Sequence, residues 1–93
     1  MLLRMPASEI PLSHAPLCRP LVVCGYSGTK PFVERFRELG FIYGARVILR
    51  RRAPLGRSIE VEVGGIRLGL RLHEAAMIYV RPITPDAADD IAN

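Results

Sequence analysis

The clearest pattern in the chain is a helical spacing of apolar residues between positions 30 and 39. Apolar side chains fall at i, i+1, i+4 and i+7, which places them on one face of a helix: Phe32, Val33, Phe36 and Leu39. Pro31 suits the first turn, where a missing N–H costs nothing. Gly40 is predicted to end the helix in a left-handed conformation, so that Phe41 packs back on Phe36. This is the one convincing helix in the sequence.

The remaining apolar residues follow the two-residue period of β-strands. Short strands are predicted at 21–24, 44–52, 59–63, 66–72 and 77–80. The segment 53–56 suits a type I turn, and Gly64 with Gly65 supplies the positive φ values of a two-residue hairpin turn. Five strands, with one helix after the first, predict a mainly β protein. We expect a small, strongly bent barrel whose closure removes exposed strand edges.

The third and fourth predicted strands carry opposite charges on one face. Glu60 and Glu62 alternate with apolar residues in the third strand. In the fourth strand the apolar positions, expected to face the core, are Ile66, Leu68, Leu70 and Leu72. We therefore expect Glu60 and Glu62 to pair across the hairpin with Arg67 and Arg71.

Proline positions and composition divide the chain into three segments. The first twenty residues contain prolines that prevent a long helix: Pro6, Pro11, Pro16 and Pro20. We expect an irregular N-terminal lead-in over 1–11, the barrel over 12–83 and a mobile acidic tail over 84–93.

Length and composition indicate one folded domain. The chain has 93 residues, of which 49% are hydrophobic and 24% charged. It shows neither a secretory signal nor a run of about eighteen apolar residues that could span a bilayer. We therefore expect a cytoplasmic protein without direct membrane insertion, in which Cys18 and Cys24 are reduced thiols.

The net charge of +4 is carried almost entirely by arginine. The most basic patch surrounds the predicted turn at Pro54 and consists of Arg50, Arg51, Arg52 and Arg57. Such a patch favours an acidic partner. Nucleic acid is not expected, because glutamates are interleaved among the arginines and no aromatic residue for base stacking lies in this hairpin. A free-standing regulatory or nucleic-acid-binding module stays as the alternative function.

Several spaced motifs resemble the FeoA family. Residues 35–44, Arg-Phe-Arg-Glu-Leu-Gly-Phe-Ile-Tyr-Gly, are similar to the helix end and loop of that family. The segments 53–56, 59–65, 68–71 and 74–80 follow in the order and spacing of the family. The resemblance covers residues 12–80.

This resemblance implies an SH3-like barrel that acts as a cytoplasmic accessory to ferrous iron transport protein B, a membrane permease with a GTP-binding domain. Similar domains also occur at the C-terminal end of iron-dependent transcriptional repressors, but no helix-turn-helix pattern precedes the barrel here. The hypothesis is a non-catalytic protein that docks on the permease and modulates ferrous iron uptake. The oligomeric state stays open, and a homo-oligomer is compatible with the sequence.

The expected site residues fall into two groups. Those expected to contact the partner are exposed on the helix, loop and hairpin: Arg35, Arg37, Glu38, Tyr43, Arg50, Arg51, Arg52 and Arg57. Those expected to be structural are Phe36, Leu39, Gly40, Phe41, Gly44, Gly64 and Gly65.

Metal binding and catalysis find less support. The candidate ligands for a divalent metal are His14, Cys18, His73 and Glu74. Their spacing matches no structural zinc motif, so no cofactor is predicted to be required, and a metal-carrier function stays a further alternative. The loop 25–30 lacks the spacing of a phosphate-binding loop, and no nucleophile lies at a catalytic spacing from a base. We therefore predict that the chain is not an enzyme.

Overall fold

Six strands and two helices make up the part of the fold formed by residues 9–83. The structure, a computed structural model, describes residues 9–83. The strands are β1 (Ile10–Pro11), β2 (Pro20–Tyr26), β3 (Arg46–Arg52), β4 (Ser58–Val63), β5 (Ile66–Arg71) and β6 (Ile78–Pro82). The helices are α1 (Lys30–Leu39) and α2 (Leu72–Ala75), and Leu12–His14 form a 3₁₀ turn. The predicted mainly β fold with a helix after the first long strand is confirmed.

All the strands belong to one antiparallel sheet. Their order is β1-β6-β2-β3-β4-β5. Register shifts at Val23/Gly25 and at Leu49/Arg51 mark irregularities of the kind that bend strands. The sequence analysis expected a closed barrel, but across residues 9–83 the sheet does not close. Its two edge strands, β1 and β5, are not hydrogen-bonded to each other. The strand β1 is two residues long and pairs with β6 at one end of the sheet. The strand β5 lies at the other end and pairs only with β4 among the described strands.

The strand β1 lies where an irregular lead-in was expected. Ile10 and Pro11 pair with Val80 and Tyr79 of β6. Proline is tolerated there because an edge strand can leave its missing donor on the solvent side. A two-residue strand has no periodicity, so the sequence gives no signal for it. Residues 1–8 of the expected lead-in and all of the expected tail, 84–93, lie outside the described residues.

The predicted helix and its end are confirmed. Helix α1 spans Lys30–Leu39 with a proline in its first turn. Gly40 has a φ of 112°, and the Phe41 N–H donates to the Phe36 carbonyl at 2.9 Å. This bond is the wider hydrogen bond of a Schellman stop. The chain therefore leaves α1 in a fixed direction, toward the loop 41–45.

The two predicted turns are also present. The Gly56 N–H donates to the Ala53 carbonyl at 2.9 Å, which closes the turn between β3 and β4. Gly64 and Gly65 have φ values of 59° and 82° between β4 and β5. Two positive φ values define a type I′ turn, which matches the twist of the flanking strands.

The prediction that the apolar residues of the fourth predicted strand all face the core is correct only in part. Leu70 is buried and Leu68 is half-buried, but Ile66 is 63% exposed, although its partner Val63 on β4 is buried; β5 is the outermost strand of the sheet at this end. Leu72 does not continue the strand and instead begins helix α2.

The core lies on the inner face of the sheet. Phe36 and Phe41 are its largest side chains and are fully buried, together with Leu12, Leu21, Val23, Val47, Leu49, Val61, Ile78 and Val80. Leu39 and Phe32 pack against this cluster while partly exposed. Of the helices formed by residues 9–83, none is long and apolar enough to cross a membrane.

Candidate partner-binding surface

The expected contact residues of α1 are exposed, but one of them has an intramolecular role. Arg37 and Glu38 are exposed. The guanidinium of Arg35 donates to the carboxylate of Glu74 in α2, although half of the Arg35 side chain is accessible to solvent. Arg35 therefore joins α1 to α2, and only part of it is available to a partner.

Glu74 is a buried carboxylate held by two donors. It is 7% exposed, and its Oε1 accepts the N–H of Arg71 at 3.0 Å. Burial by itself would raise the pKa of Glu74, but the hydrogen bonds from Arg35 and from the Arg71 backbone outweigh it and lower the pKa. The carboxylate stays ionised at neutral pH and caps the first turn of α2.

The predicted arginine patch is largely paired. Arg50 lies 2.9 Å from Glu62, and Arg51 lies 3.6 Å from Glu60. Glu60 also accepts Arg67 at 3.4 Å, which confirms one expected cross-hairpin pair. Glu62, in contrast, bonds to Arg50 on β3, because Arg50 reaches it from the other neighbouring strand. The patch is therefore weaker as a polyanion site than its sequence suggests.

Arg52 differs from the rest of this patch. Its guanidinium donates to the carbonyl oxygens of Ser13 and Ala15, each at 2.9 Å. These bonds fix the 3₁₀ turn against the end of β3. Arg52 thus fills a structural role where the sequence analysis expected a partner contact, whereas Arg57 is exposed after the turn.

The candidate metal ligands lie in three places: His14 in the 3₁₀ turn, Cys18 in the segment before β2, and His73 with Glu74 in α2. His14, Cys18 and His73 are exposed, and Glu74 is buried against Arg35. Within residues 9–83, no group of three or more His, Cys, Asp or Glu side chains is placed to hold a metal ion. Each of these described candidates therefore lacks the companion ligands that a preformed divalent site needs.

The cysteines are free thiols in different settings. Cys18 is exposed with a φ of 61°, and its N–H donates to the Leu49 carbonyl at 2.8 Å. Cys24 is half-buried on β2, where burial and the nearby charge of Glu9 raise the pKa of its thiol. The Cys24 thiol is therefore a poor nucleophile at neutral pH.

The loop 41–45 presents two apolar side chains on a fixed backbone. Ile42 is 52% exposed and Tyr43 is 74% exposed. The loop is held at Gly44, whose N–H donates to the Val23 carbonyl at 2.8 Å, and at Phe41, whose carbonyl accepts the hydroxyl of Tyr26. Burial raises the pKa of Tyr26, so its phenol stays a donor. The exposed apolar residues are thus displayed on an ordered base.

A groove of about 520 Å³ adjoins this loop. We name it the loop groove, and its lining residues are Gly40, Ile42, Ala45, Arg46, Ile48, Glu62, Gly64 and Gly65. Its wall is formed where β3 lies beside β4, with Ile48 opposite Glu62. Since Glu62 is neutralised by Arg50, the exposed Arg46 leaves the rim of the groove positive.

The sequence analysis did not predict Ile42, Arg46 or Ile48 as contact residues of this groove. Ile42 had a local signal, because a run of three large apolar residues between Gly40 and Gly44 is more than one buried side chain, Phe41, accounts for. Arg46 and Ile48 had none, because their position beside the hairpin turn depends on the register of β3 against β4. Tyr43, the predicted contact residue of this loop, is exposed next to Ile42 but is not among the residues that line the groove.

Comparisons with known proteins agree on one family. The FeoA domain model matches residues 10–82. The FeoA protein from Chlorobium tepidum is 31% identical, with a TM-score of 0.75 over 81% of this chain and 71% of that chain. FeoA from Stenotrophomonas maltophilia, solved with zinc and described as a prokaryotic SH3 domain protein, is 34% identical, with a TM-score of 0.64 over 74% of this chain and 86% of that chain. The predicted SH3-like fold and the family resemblance are confirmed.

A more distant likeness concerns the fold alone. A manganese-dependent transcriptional repressor is 17% identical, with a TM-score of 0.73 over 81% of this chain and 42% of that chain. A search of curated protein sequences found no significant match.

Proposed function

Because this chain belongs to the FeoA domain family, which is associated with ferrous iron transport, we propose that it is a non-catalytic cytoplasmic accessory protein of ferrous iron uptake. It docks on the cytoplasmic side of ferrous iron transport protein B, the membrane permease with a GTP-binding domain, and modulates uptake. The proposal gives the chain no catalytic step and no resident cofactor. The ferrous ion is the cargo of the permease.

The observation that carries this proposal is the loop groove with Ile42 and Tyr43 beside it. Large apolar side chains that an ordered loop keeps exposed to solvent do not stabilise the isolated domain. Exposed apolar patches of this kind are typical of interaction sites. A partner side chain of moderate size fits a groove of about 520 Å³. Docking there buries apolar surface that folding leaves exposed.

Charged residues around the groove support a role in orientation. Arg46 stands at the rim, and Arg37 and Glu38 are exposed on the preceding helix. Exposed rim charges change association rate and selectivity more than they change affinity. We assign the apolar contact to the groove and the steering to these charges.

The test is ferrous iron uptake at limiting external iron in cells that lack the gene for this chain. A plasmid with the intact gene should restore uptake, and one with Ile42→Ser should not. The matched control is Leu55→Ser, because Leu55 is 85% exposed at the turn between β3 and β4 and lies outside the groove. It should restore uptake fully.

Equal amounts of the permease and of each variant have to be present, which immunoblots check. Uptake that does not change when the gene is removed would contradict the accessory role. Uptake restored equally by Ile42→Ser and Leu55→Ser would contradict the assignment of the groove.

A further inference from the structure

The strand β5 ends the sheet and leaves a row of backbone groups at its outer edge. Among residues 9–83 no strand pairs with this edge. The type I′ turn at Gly64 and Gly65 makes Val63 and Ile66 a hydrogen-bonded pair. Hydrogen-bonded and non-hydrogen-bonded pairs then alternate along β4 and β5.

This alternation identifies the groups at the open edge. The pairs Glu62–Arg67 and Glu60–Gly69 are non-hydrogen-bonded, so the N–H and C=O of Arg67 and Gly69 point away from β4. The N–H of Arg71 also points outward, but it donates to Glu74 Oε1 at 3.0 Å. The open stretch available to an added strand is therefore centred on Arg67 and Gly69.

Gly69 is not explained by the isolated fold. Its φ is not positive, and a Cβ built on it would meet only the Ile59 carbonyl at 3.8 Å, an ordinary contact. An alanine would fit there and would lower the entropy of the unfolded chain. A glycine at this position leaves the outer face of β5 without a side chain between Arg67 and Arg71.

The charges beside this edge favour an acidic strand. Arg67 and Arg71 flank Gly69 on the outer face, and both are exposed. A depression of about 290 Å³ lies beside Gly69, lined in part by Arg51, Glu60 and Arg67. There one carboxylate, that of Glu60, faces two guanidinium groups at 3.4 and 3.6 Å. A carboxylate from a partner strand would therefore be attracted by the net positive charge of this depression.

The same charges disfavour a second copy of this chain. Antiparallel pairing of two β5 strands centred on Gly69 would place Arg67 of one copy opposite Arg71 of the other. Like charges directly opposite each other destabilise a strand pair. The arginines therefore disfavour pairing with β5 of a second copy, whereas a strand that carries negative charge can still pair with this edge.

We propose that the outer edge of β5 is a strand-addition site for an acidic, extended segment of a partner protein. The segment forms main-chain hydrogen bonds with Arg67 and Gly69 and places carboxylates, spaced four residues apart, opposite Arg67 and Arg71. The site lies along β5, apart from the loop 41–45. It does not depend on the transport role.

The probe is a synthetic nine-residue peptide with glutamates at positions three and seven, serine at position five, and valine or threonine elsewhere. Binding to the full chain is followed by NMR shifts and by amide hydrogen exchange. The peptide should slow exchange at the Arg67 and Gly69 amides, and the same peptide with glutamine in place of glutamate should bind about tenfold more weakly. Peptide binding without protection at these two amides would overturn the proposal, as would no binding at millimolar peptide.

Two variants separate strand addition from simple charge attraction. Gly69→Pro removes an N–H that points away from β4, so the existing ladder loses no hydrogen bond while the outer edge loses a donor. It should weaken peptide binding about tenfold or more, while Gly69→Ala, which keeps the N–H, should stay within about twofold. Circular dichroism and melting curves check that both variants fold. Equal binding by the two folded variants would overturn the proposal.

The same measurements can show whether a different segment covers this edge. If Arg67 and Gly69 are already protected without peptide, and the protection disappears in the full chain carrying Asp86→Asn, Asp89→Asn and Asp90→Asn, the edge is covered by the chain's own C-terminal segment. If sedimentation shows a dimer that Gly69→Pro abolishes, a second copy covers it. Either result overturns the assignment to a partner.

Discussion

Arg35 and Glu74, 39 residues apart in sequence, form an ion pair that joins helix α1 to helix α2. The carboxylate is buried and also accepts the Arg71 N–H. Glu74→Gln keeps the shape but replaces charge-assisted hydrogen bonds by weaker ones, so it should lower the free energy of unfolding by about 1 kcal/mol. Urea unfolding at neutral pH measures this. The control Glu34→Gln, on the exposed face of α1, should change it by less than about 0.5 kcal/mol. Equal effects would contradict the role of the pair.

The lowered pKa of Glu74 predicts a dependence of stability on pH. A carboxyl whose pKa is lower in the folded than in the unfolded state adds stability above its unfolded pKa, and this stability is lost as pH falls through the folded pKa. The usual value for this group is 4.5. The stability difference between the wild type and Glu74→Gln should therefore be constant from about pH 7 to 5 and shrink below that. Urea unfolding at several pH values measures it, and a difference that persists to about pH 3 would contradict the prediction.

Arg52 is predicted to act through geometry and not through charge alone. Its planar guanidinium reaches the Ser13 and Ala15 carbonyls together, which a lysine ammonium cannot reproduce. Arg52→Lys should lower the free energy of unfolding by about 1–2 kcal/mol, with Arg57→Lys as the neutral control. Thermal unfolding of the two variants checks this. Identical melting temperatures would show that the two hydrogen bonds contribute nothing.

Two glycines should respond in opposite directions to alanine. Gly40 has a φ of 112°, in the left-handed region, so Gly40→Ala should destabilise the fold by about 1–2 kcal/mol. Gly69 has no such constraint, so Gly69→Ala should be neutral or stabilise by up to about 1 kcal/mol. Urea unfolding of both variants provides the comparison. A destabilised Gly69→Ala would show that the fold itself needs this glycine.

The features that the sequence predicted correctly are local ones. The spacing of Phe32, Phe36 and Leu39 defines α1, and Gly40 alone specifies how it ends. The adjacent glycines Gly64 and Gly65 determine the hairpin turn, because only positive φ values fit it. Each of these signals lies within a few residues of the feature it predicts.

The features that the sequence missed depend on contacts between distant segments. Arg52 and Glu74 were predicted as a partner contact and a metal candidate, and the structure adds contacts that no local pattern indicates: Arg52 binds carbonyls and Glu74 binds a guanidinium, each 37 or more residues away. The groove wall at Ile48 depends on strand register. Such pairings leave no pattern in one sequence, because residues far apart in the chain supply the two partners.

The most direct test of docking is binding of the purified full chain to purified, detergent-solubilised ferrous iron transport protein B. The wild type and Leu55→Ser should bind with the same affinity, and Ile42→Ser should bind about tenfold more weakly because it removes buried apolar surface at the loop groove. Binding that Ile42→Ser leaves unchanged would move the contact away from the groove. No binding of the wild type, with a permease that still binds GTP, would contradict the account.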